Sequence, residues 1–404
     1  MSKELFESAL GIEKPLYIEE IKFDEEAGQL HIHMNFERGG KFSCSGCECP
    51  SLPVYDTVSK TWRHLNFFQY DCYIHLRTPR TQCNECGIRQ WSPLWSRVDS
   101  GFTMLFEAFI MTLAREMAVL KIAELIGEHD TKIWRVIKHH TNIAYAKKDL
   151  SEVTEVGCDE TSSRKGHKYI TVFADMKEKE VIYATTGKNA NTIKRFTEEL
   201  PKHHANAEQV TEITIDMSPA FISGTNEHLP NASITFDKFH VIQALNKVQD
   251  EVRRMEQKDN PILKKSRYVW LKNPDNLTQK QKEQLEDLTT SNLKTAKVYQ
   301  MKLVFQDIYR NIKDPKTAEQ AIKKWLSWAV RSRIEPVKQF AKMVKNHFDG
   351  IMRYFTSRLT SGAMESINSR IQNIKRRARG FRNMDNFIDM IYLEMANLQL
   401  DFPT

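Results

Sequence analysis

The sequence predicts a multidomain α+β protein, and three observations lead to this fold class. Residues 16–95 alternate apolar and polar side chains over short runs and contain two C-x-x-C pairs, as expected of a β-rich module that binds a metal. A helical pattern follows over 102–140. Strands then alternate with helices over 153–242, and the rest of the chain is helical and rich in charge. These changes predict five segments, with bounds at 1–100, 101–148, 149–242, 243–350 and 351–404.

The composition describes a polypeptide that can bury sizeable hydrophobic cores. Of its 404 residues, 41% are hydrophobic and 27% are charged, and the formal net charge is +7. This excess of positive charge permits a polyanionic partner without requiring one. No run reaches the roughly 18 apolar residues of a membrane span, and the first ten residues lack the order of a signal peptide. We therefore expect a cytosolic protein, in which seven cysteines argue against a disulfide framework.

The two C-x-x-C pairs predict a structural zinc site. A glycine lies inside the first pair (Gly46) and directly after the second (Gly87), where a tight turn around a metal requires one. The gap of residues 48–82 is longer than usual between such pairs, and a β-hairpin could fill it. Cys49 and Cys72 fall outside the spacing, and four cysteines without a metal remain the alternative. Four thiolates suit one tetrahedral Zn²⁺, bound by Cys44, Cys47, Cys83 and Cys86.

The helical segment predicts a helix-turn-helix. Three short helices cover 106–117, 119–127 and 130–140, with a glycine at the end of the second and Asp130-Thr131 at the start of the third. In this motif the last helix enters the DNA major groove. A helical linker bundle with a solvated basic face is the alternative. The predicted DNA-binding side chains recur at helical spacing on the third helix: Lys132, Arg135 and Lys138.

The strand-rich segment predicts an RNase H-like catalytic core. One strand ends near Asp159, two strands and an amphipathic helix follow, and a further strand ends at Asp216. In a core of this order the first and fourth strands are neighbours, which brings the two carboxylates together. Two adjacent carboxylates are costly unless a cation lies between them, so the order predicts a magnesium site.

A third carboxylate for a site with two metal ions is predicted on a late helix. Glu365 lies at the beginning of this helix, where an acidic side chain facing the helix dipole is the alternative interpretation. The residues beyond it are strongly basic and could hold DNA phosphates. They are Arg370, Lys375, Arg376, Arg377, Arg379 and Arg382.

Together these features resemble the ISL3 family of bacterial insertion-sequence transposases. The resemblance covers essentially the whole chain and includes "CDETS", "IDMSPAFISG", "FDKFHVIQALNKVQDEVRR" and "SGAMESINSRIQNIKRRARGF". It implies that Asp159, Asp216 and Glu365 form a DDE triad that binds two Mg²⁺ or Mn²⁺ ions. It also implies that the helical stretch 243–345 is an all-α insertion in the core, which we expect to form a separate lobe.

The activity implied by the resemblance is DNA strand cleavage followed by strand transfer through the freed 3′-hydroxyl, without a covalent protein intermediate. The implied partners are terminal inverted repeats, target DNA and further copies of the chain, bound in the bacterial cytoplasm at the nucleoid. Two other functions stay open: a DNA-binding regulator with an inactive core, and a structure-specific nuclease that cuts without joining.

Three further side chains could belong to the site. Asp237 and His240, in "FDKFH", could lie near the metals, or could cap a helix and form a local hydrogen bond. Asp175 is predicted to be a turn residue. Trp270, which has basic and aromatic neighbours, is a candidate for stacking on an unpaired base, whereas Trp325 and Trp328 are expected to pack in a core.

Overall fold

The structure is a computed structural model that describes residues 3–164, 168–357, 359 and 362–402. It has two compact units. The first extends to Ala144 and includes the last residues from Gln399 onward, and the second is Tyr145–Leu398. Within the described residues, no helix is long and apolar enough to cross a membrane. The predicted multidomain α+β fold class is therefore confirmed at this coarse level.

The first unit begins with a β-rich module. Its six strands form a sheet ordered β1-β2-β5-β4-β3, with β6 paired to β5. The predicted hairpin between the two cysteine pairs is present as the long antiparallel strands β4 and β5. Apolar side chains alternate along β2 and β5 and pack beneath α1 and around Trp62. The elements are α1 Lys3–Leu10, β1 Leu16–Asp24, β2 Gln29–Phe36, β3 Lys41–Phe42, β4 Leu52–Phe67, β5 Tyr70–Cys83 and β6 Gly87–Gln90.

Three helices complete the first unit: α2 Met104–Glu116, α3 Val119–Ile126 and α4 Asp130–Ala146. The Thr103 side chain accepts a hydrogen bond from the Phe106 amide and so caps α2. Gly127 ends α3 in the left-handed conformation, at φ 66°. The predicted order of three short helices with tight turns is therefore observed.

The second unit contains a five-stranded sheet ordered β11-β10-β7-β8-β9, in which β7, β10 and β11 are parallel and β8 and β9 antiparallel. The predicted adjacency of the first and fourth strands is confirmed as the pairing of β7 with β10. Asp175 accepts a hydrogen bond from the Lys177 amide and is the turn residue expected. The elements are β7 Glu155–Arg164, β8 Lys168–Asp175, β9 Glu180–Thr186, α5 Ala190–Glu199, β10 Glu212–Ile215, α6 Pro219–His228 and β11 Ser233–Phe236.

Only helical elements follow β11 in the described chain. The long helix α7 runs through the segment boundary predicted at 242/243, and α13 runs through the one at 350/351. The helices are α7 Lys238–Glu256, α8 Arg267–Leu271, α9 Gln279–Thr290, α10 Lys294–Asn311, α11 Pro315–Arg331, α12 Glu335–Asn346, α13 Phe348–Ser357, α14 Gly362–Arg377 and α15 Met384–Met395.

The expectation that residues 243–345 form a separate lobe is wrong. Phe305, Trp325 and Phe340, from α10, α11 and α12, belong to the same buried cluster as Phe236 and Val241 next to the sheet. A smaller cluster around α8, α9 and the beginning of α10 is distinct from it. The apolar faces of α10–α12 are therefore buried against the sheet-bearing part of the unit, because burying them there removes more apolar surface from water than a lobe of helices alone.

Candidate active site and metal centre

The four predicted zinc ligands lie together in the first unit. Their sulfur atoms are all within 4.8 Å of one another, and they form the one group of this kind among the described residues. A Cβ atom on Gly46 would lie 3.1 Å from the Cys86 sulfur, so glycine permits the close approach of the two turns. Hydrogen bonds from backbone amides, the Gly46 amide first, lower the pKa of Cys44 to about 7. This donor set fits Zn²⁺, and Cys49 and Cys72 lie outside it.

The predicted DNA-binding side chains of α4 are exposed, whereas Ile133, Val136 and Ile137 on the opposite side of the helix are buried. Lys132 forms an ion pair of 2.7 Å with Glu128. Arg135 and Lys138 have no ion pair in the part of the chain that the structure describes. The third helix therefore has a basic face that is available to a polyanion.

Three aspartates lie in a row across the parallel strands. Asp216 and Asp237 directly follow β10 and β11, whereas the prediction that the first strand ends near Asp159 is wrong, because β7 continues through Asp159 to Arg164 and stays paired with β8. Thr214 pairs with Gly157, and Ile215 pairs with Phe236. Extending these two registers aligns Asp216 with Asp159 on one side and with Asp237 on the other. Because neighbouring strands are roughly 4.8 Å apart, the three side chains project from the same edge of the sheet. Asp159 and Asp237 are mostly buried, with side-chain exposures of 15% and 10%.

Hydrogen bonds from backbone amides fix all three aspartates, and Asp159 accepts from the Glu160 amide at 2.7 Å. Asp216 accepts from the Ser218 amide at 2.9 Å, just before α6. Asp237 accepts from the Phe239 amide at 2.7 Å and is the N-cap of α7. Both interpretations of Asp237 in the sequence therefore apply, since it caps a helix and also lies beside Asp216. Each of these bonds uses one carboxylate oxygen.

His240 connects the aspartates. Its Nε2 lies 3.7 Å from an Asp159 oxygen and 3.9 Å from an Asp237 oxygen. The neighbouring Asp159 carboxylate raises the pKa of His240 above its usual range, in opposition to burial. The pKa of the nearby Glu160 is raised by burial and also by the negative charges of Asp216 and Asp159. This end of the sheet is therefore strongly electronegative.

Helix α14 lies along β7. One residue from each of three successive helical turns contacts every second residue of the strand. Met364 packs over Gly157, where a Cβ atom would lie 2.6 Å from the methionine sulfur. One helical turn further, Asn368 Nδ2 donates to Asp159 Oδ2 at 2.5 Å. After another turn, Gln372 donates to the Thr161 hydroxyl at 2.7 Å. The match arises because four helical residues rise about 6 Å, close to the span of two strand residues.

Glu365 is on the first turn of α14 but does not join the aspartates as a third member of a compact cluster. The carboxylates of Asp159, Asp216 and Glu365 are not all within 4.8 Å of one another. Glu365 instead lines a neighbouring cleft that also includes Lys238 and Arg310. Burial and then Arg310 lower the pKa of Lys238, and the negative charge of Glu365 acts in the opposite direction.

Sequence reasoning missed Asn368, although a signal was available. Asn368 lies three residues after Glu365, a spacing that puts the two side chains on adjacent turns of one helical face. Gln372 continues the same row. The sequence does not indicate which residue of α14 lies opposite Asp159, because that depends on how Met364 packs against Gly157.

The basic residues on α14 and directly after it, Arg379 and Arg382, have two different environments. Arg377 pairs with the Glu394 side chain, and Arg370 donates to the Glu394 carbonyl at 2.6 Å, so both hold α15 against α14. Lys375 donates to the Ser162 carbonyl of β7 at 2.7 Å. The other predicted phosphate-binding residues, Arg376, Arg379 and Arg382, are exposed.

The interpretation of Trp270 as a stacking platform is wrong. Its side chain is fully buried in the cluster around α8, and its indole nitrogen donates to the Ser266 hydroxyl at 3.0 Å. Neither face of the ring is available to a base. Trp325 is buried as expected, and its indole donates to the Met301 carbonyl.

Comparison with known proteins identifies three parts of the chain. The profile described as "Transposase", of the ISL3 group, matches residues 156–391, which is more than half of the sequence. The helix-turn-helix domain of transposase family ISL3 matches residues 93–141. The zinc-finger of transposase IS204/IS1001/IS1096/IS1165 matches residues 41–86, the segment that contains the four clustered cysteines.

Two relatives are similar over nearly their whole length. The transposase for insertion sequence element IS1001 of Bordetella parapertussis is 28% identical, over 96% of this chain and 97% of the relative. The transposase for insertion sequence element IS1557 of Mycobacterium tuberculosis is 24% identical, over 99% and 97%. The chain therefore belongs to the ISL3 family of transposases, enzymes of DNA transposition that combine a helix-turn-helix with a DDE domain.

Proposed function

We propose that the chain cleaves the ends of its own insertion sequence and joins them to target DNA at a site formed by Asp159, Asp216 and Glu365. The observation that carries the proposal is the register of two neighbouring parallel strands, which aligns Asp159 within β7 with Asp216 directly after β10. Membership of the family gives the class of reaction. The negative charges of Asp159 and Asp216 can attract cations, which would in turn bind the reacting phosphate.

The residues present fit divalent cations that prefer oxygen ligands. Two carboxylates lie side by side, and the amide oxygen of Asn368, next to Asp159, is buried and has no hydrogen-bond partner in the structure. A buried amide oxygen without a donor is costly unless a cation or an ordered water approaches it. Asp159, Asp216 and Glu365 would hold the ions, with Asn368 beside them.

Bound Mg²⁺ or Mn²⁺ would supply Lewis-acid activation of the attacking hydroxyl and neutralise charge at the phosphate. The chain's own contribution is positional. His240 and Asn368 hold Asp159, the Ser218 amide holds Asp216, and exposed arginines beyond Glu365 are placed to bind phosphates. Glu365 must turn from the cleft that it shares with Lys238 toward the aspartates, and binding of cations would favour that movement by removing carboxylate repulsion.

The finer architecture is part of the same proposal. The order β9-β8-β7-β10-β11 supports an RNase H-like core, with the helices of 243–350 as an all-α insertion and 351–404 as its final helices. The segments 1–100, with one structural zinc ion, and 101–148 would recognise the terminal repeats. Strand transfer to a second DNA would require a dimer or larger assembly, acting at the nucleoid.

The test uses full-length protein, a duplex carrying one element end and a target plasmid. We expect each of three variants to cleave and join DNA at least 1,000-fold more slowly: Asp159→Asn, Asp216→Asn and Glu365→Gln. This corresponds to a loss of about 4 kcal/mol of transition-state stabilisation. Binding to the element end should change by no more than a few-fold. Asp175→Asn is the control, since Asp175 pairs with Val156 at the beginning of β7, outside the site, and asparagine can accept the same hydrogen bond from the Lys177 amide. Near wild-type cleavage by any triad variant would remove that residue from the site.

Joined products separate a transposase from a nuclease that cuts without joining. End recognition is tested by Arg135→Ala in the full chain, which is expected to weaken binding to the element end more than to unrelated DNA. If Arg135→Ala weakens binding to the element end and to unrelated DNA by the same factor, Arg135 contacts phosphates only. Wild-type protein that binds ends but never cuts would instead support a regulator.

A further inference from the structure

The geometry points to a second DNA-binding element within the second unit: the cleft between α7 and α8 binds backbone phosphates roughly three to six nucleotides from the cleaved bond. We call it the α7–α8 cleft. This inference rests on the proposed function, because it assumes that DNA is cleaved at the aspartates beside His240. It names residues outside the triad, the helix-turn-helix and the basic end of α14.

The α7–α8 cleft has a volume of about 520 Å³ and is strongly positive. One acidic residue lines it, against four basic ones, which leaves an excess of three positive charges. A concave surface of one charge sign concentrates the field and attracts polyanions. The charged lining residues are Lys247, Asp250, Arg253, Arg254 and Arg267.

Asp250 organises the arginines of the cleft. Arg253 is mostly buried and bonds one Asp250 oxygen at 2.9–3.0 Å, and it also donates to Gln257. The Nε atoms of Arg254 and Arg267 each lie 3.5 Å from the other Asp250 oxygen. One carboxylate thus holds three guanidinium groups next to each other, although their mutual repulsion would otherwise separate them.

The two outer arginines keep donors for a ligand. Their side chains are 67% and 55% exposed, for Arg254 and Arg267 respectively. Each guanidinium has five N–H donors, and within the described chain these two make no hydrogen bond; the atom pair that links each to Asp250 is Nε–Oδ2 at 3.5 Å, and Arg267 also lies over the Tyr268 ring. Lys247 is exposed and has no ion pair among the described residues. Planar guanidinium groups with free terminal nitrogens suit phosphodiester oxygens.

Helix α7 connects this cleft to the aspartates. At 3.6 residues per turn, five residues fall within a sector of about 80° on one face of the helix. The series begins at His240, which contacts Asp159, and ends in the α7–α8 cleft. Its members are His240, Gln243, Lys247, Asp250 and Arg254.

The spacing along α7 fits a nucleic acid strand better than a small anion. At about 1.5 Å per residue, Lys247 lies roughly 10 Å and Arg254 roughly 21 Å along the helix from His240. With one phosphate per ~3.4 Å of each DNA strand, these distances correspond to about three and six nucleotides. A single phosphate or nucleotide would contact one end of this series only. The DNA next to the cut would therefore run along α7, from the aspartates to the arginines.

Uncharged phosphates test the inference in the full-length protein. Duplexes carrying the element end, with one methylphosphonate at each position from one to ten nucleotides on either side of the cut, are bound and cleaved by wild type. Substitution at one or two positions three to six nucleotides away is expected to slow cleavage 5- to 30-fold at subsaturating DNA. In Arg254→Ala/Arg267→Ala the same substitutions should change the rate less than twofold, because the charge partners are already lost.

The matched control removes two exposed cations of α11, Lys324 and Arg331, which do not line the cleft. Lys324→Ala/Arg331→Ala should keep the wild-type sensitivity to methylphosphonates. Equal sensitivity of wild type and the Arg254/Arg267 variant, or no sensitive phosphate in the window, would overturn the inference. If wild type cuts no DNA, the proposed function fails. Binding of the same duplexes by Asp159→Asn then still decides whether the cleft contacts the phosphates.

Discussion

Asn368 Nδ2 donates to Asp159 Oδ2 at 2.5 Å, and this contact joins α14 to the first of the three aligned aspartates. The oxygen of the same amide is buried and has no hydrogen-bond partner in the described part of the chain. Asn368 therefore orients a carboxylate with one atom and offers an oxygen ligand with the other. A residue that acts on a metal site in this way usually changes metal affinity by 10- to 100-fold when it is removed.

The first prediction follows from this contact. Asn368→Ala should raise the Mg²⁺ concentration that gives half-maximal cleavage by about 10- to 100-fold and reduce the thermal stabilisation by Mg²⁺ in the absence of DNA. Asn373→Ala is the control, since Asn373 is an exposed asparagine on the same helix. If the Mg²⁺ dependence of Asn368→Ala is that of wild type, the contact between Asn368 and Asp159 contributes to packing and not to metal binding.

The second prediction concerns the four clustered cysteines. Purified protein should contain one zinc ion per chain, and Cys44→Ser should lose it, because three thiolates bind the ion much less tightly than four. Proteolysis within 41–90 should accelerate at the same time. Cys49→Ser should keep the zinc, since Cys49 lies outside the cluster. Elemental analysis that finds no zinc in wild type would contradict the assignment.

Much of the site could be predicted because the responsible signals are local. The cysteine spacing, the strand that ends before Asp216 and the glycine that ends α3 are each determined by a few consecutive residues. The adjacency of β7 and β10 followed from the order of elements. In all these cases neighbours along the chain carry the information.

Long-range packing could not be predicted in the same way. Basic and aromatic neighbours suggested that Trp270 is exposed, but a short helix turns its indole into the cluster around Leu263 and Leu288. The apolar stripes of α10–α12 predicted burial without indicating the partner surface, which proved to be shared with the sheet. A helical pattern defines which face is buried, and the surface that covers it depends on the whole fold.

The third prediction concerns Glu107, a fully buried carboxylate on α2 that contacts α4 through His140. It accepts hydrogen bonds from Arg97, Ser100 and His140 at 2.6–3.0 Å. Burial alone would raise the pKa of Glu107, but these bonds outweigh it and lower the pKa. Glu107→Gln should therefore destabilise the first unit by about 3 kcal/mol at neutral pH, because it leaves Arg97 without a charged partner.

The pH dependence of stability distinguishes this effect from packing. The folded-state pKa of Glu107 is below the unfolded value, so its stabilisation is complete above about pH 4.5 and is lost as the pH falls through the folded-state pKa. The difference in Tm between wild type and Glu107→Gln should narrow as the pH is lowered from 6 to 3. Glu116→Gln, an exposed change on the same helix, should not alter Tm measurably at any pH. A constant difference in Tm for Glu107→Gln would refute the charge effect.

The last prediction concerns Lys302, which is fully buried in α10 and has no carboxylate partner among the residues that the structure describes. Its Nζ donates to the carbonyls of Trp270 and Leu271 at 2.6 and 3.3 Å, at the end of α8. Burial lowers the pKa of Lys302 to about 8 from 10.5. The unfolded chain therefore binds this proton more tightly than the folded chain does. Below pH 8 both states are protonated, and the cost of burying the charge is fully present.

As the pH rises from 8 to 10.5, the folded protein can release that proton, and Lys302 should add stability relative to its contribution at neutral pH. The gain is up to about 3 kcal/mol for a shift of this size. Measured by chemical denaturation, the free energy of unfolding of wild type minus that of Lys302→Met should rise over this range. The same difference taken with Lys297→Met, an exposed position on the same helix, should stay flat. A flat difference for Lys302→Met as well would mean that the buried amine keeps an ordinary pKa, with the two carbonyls compensating for its lost hydration.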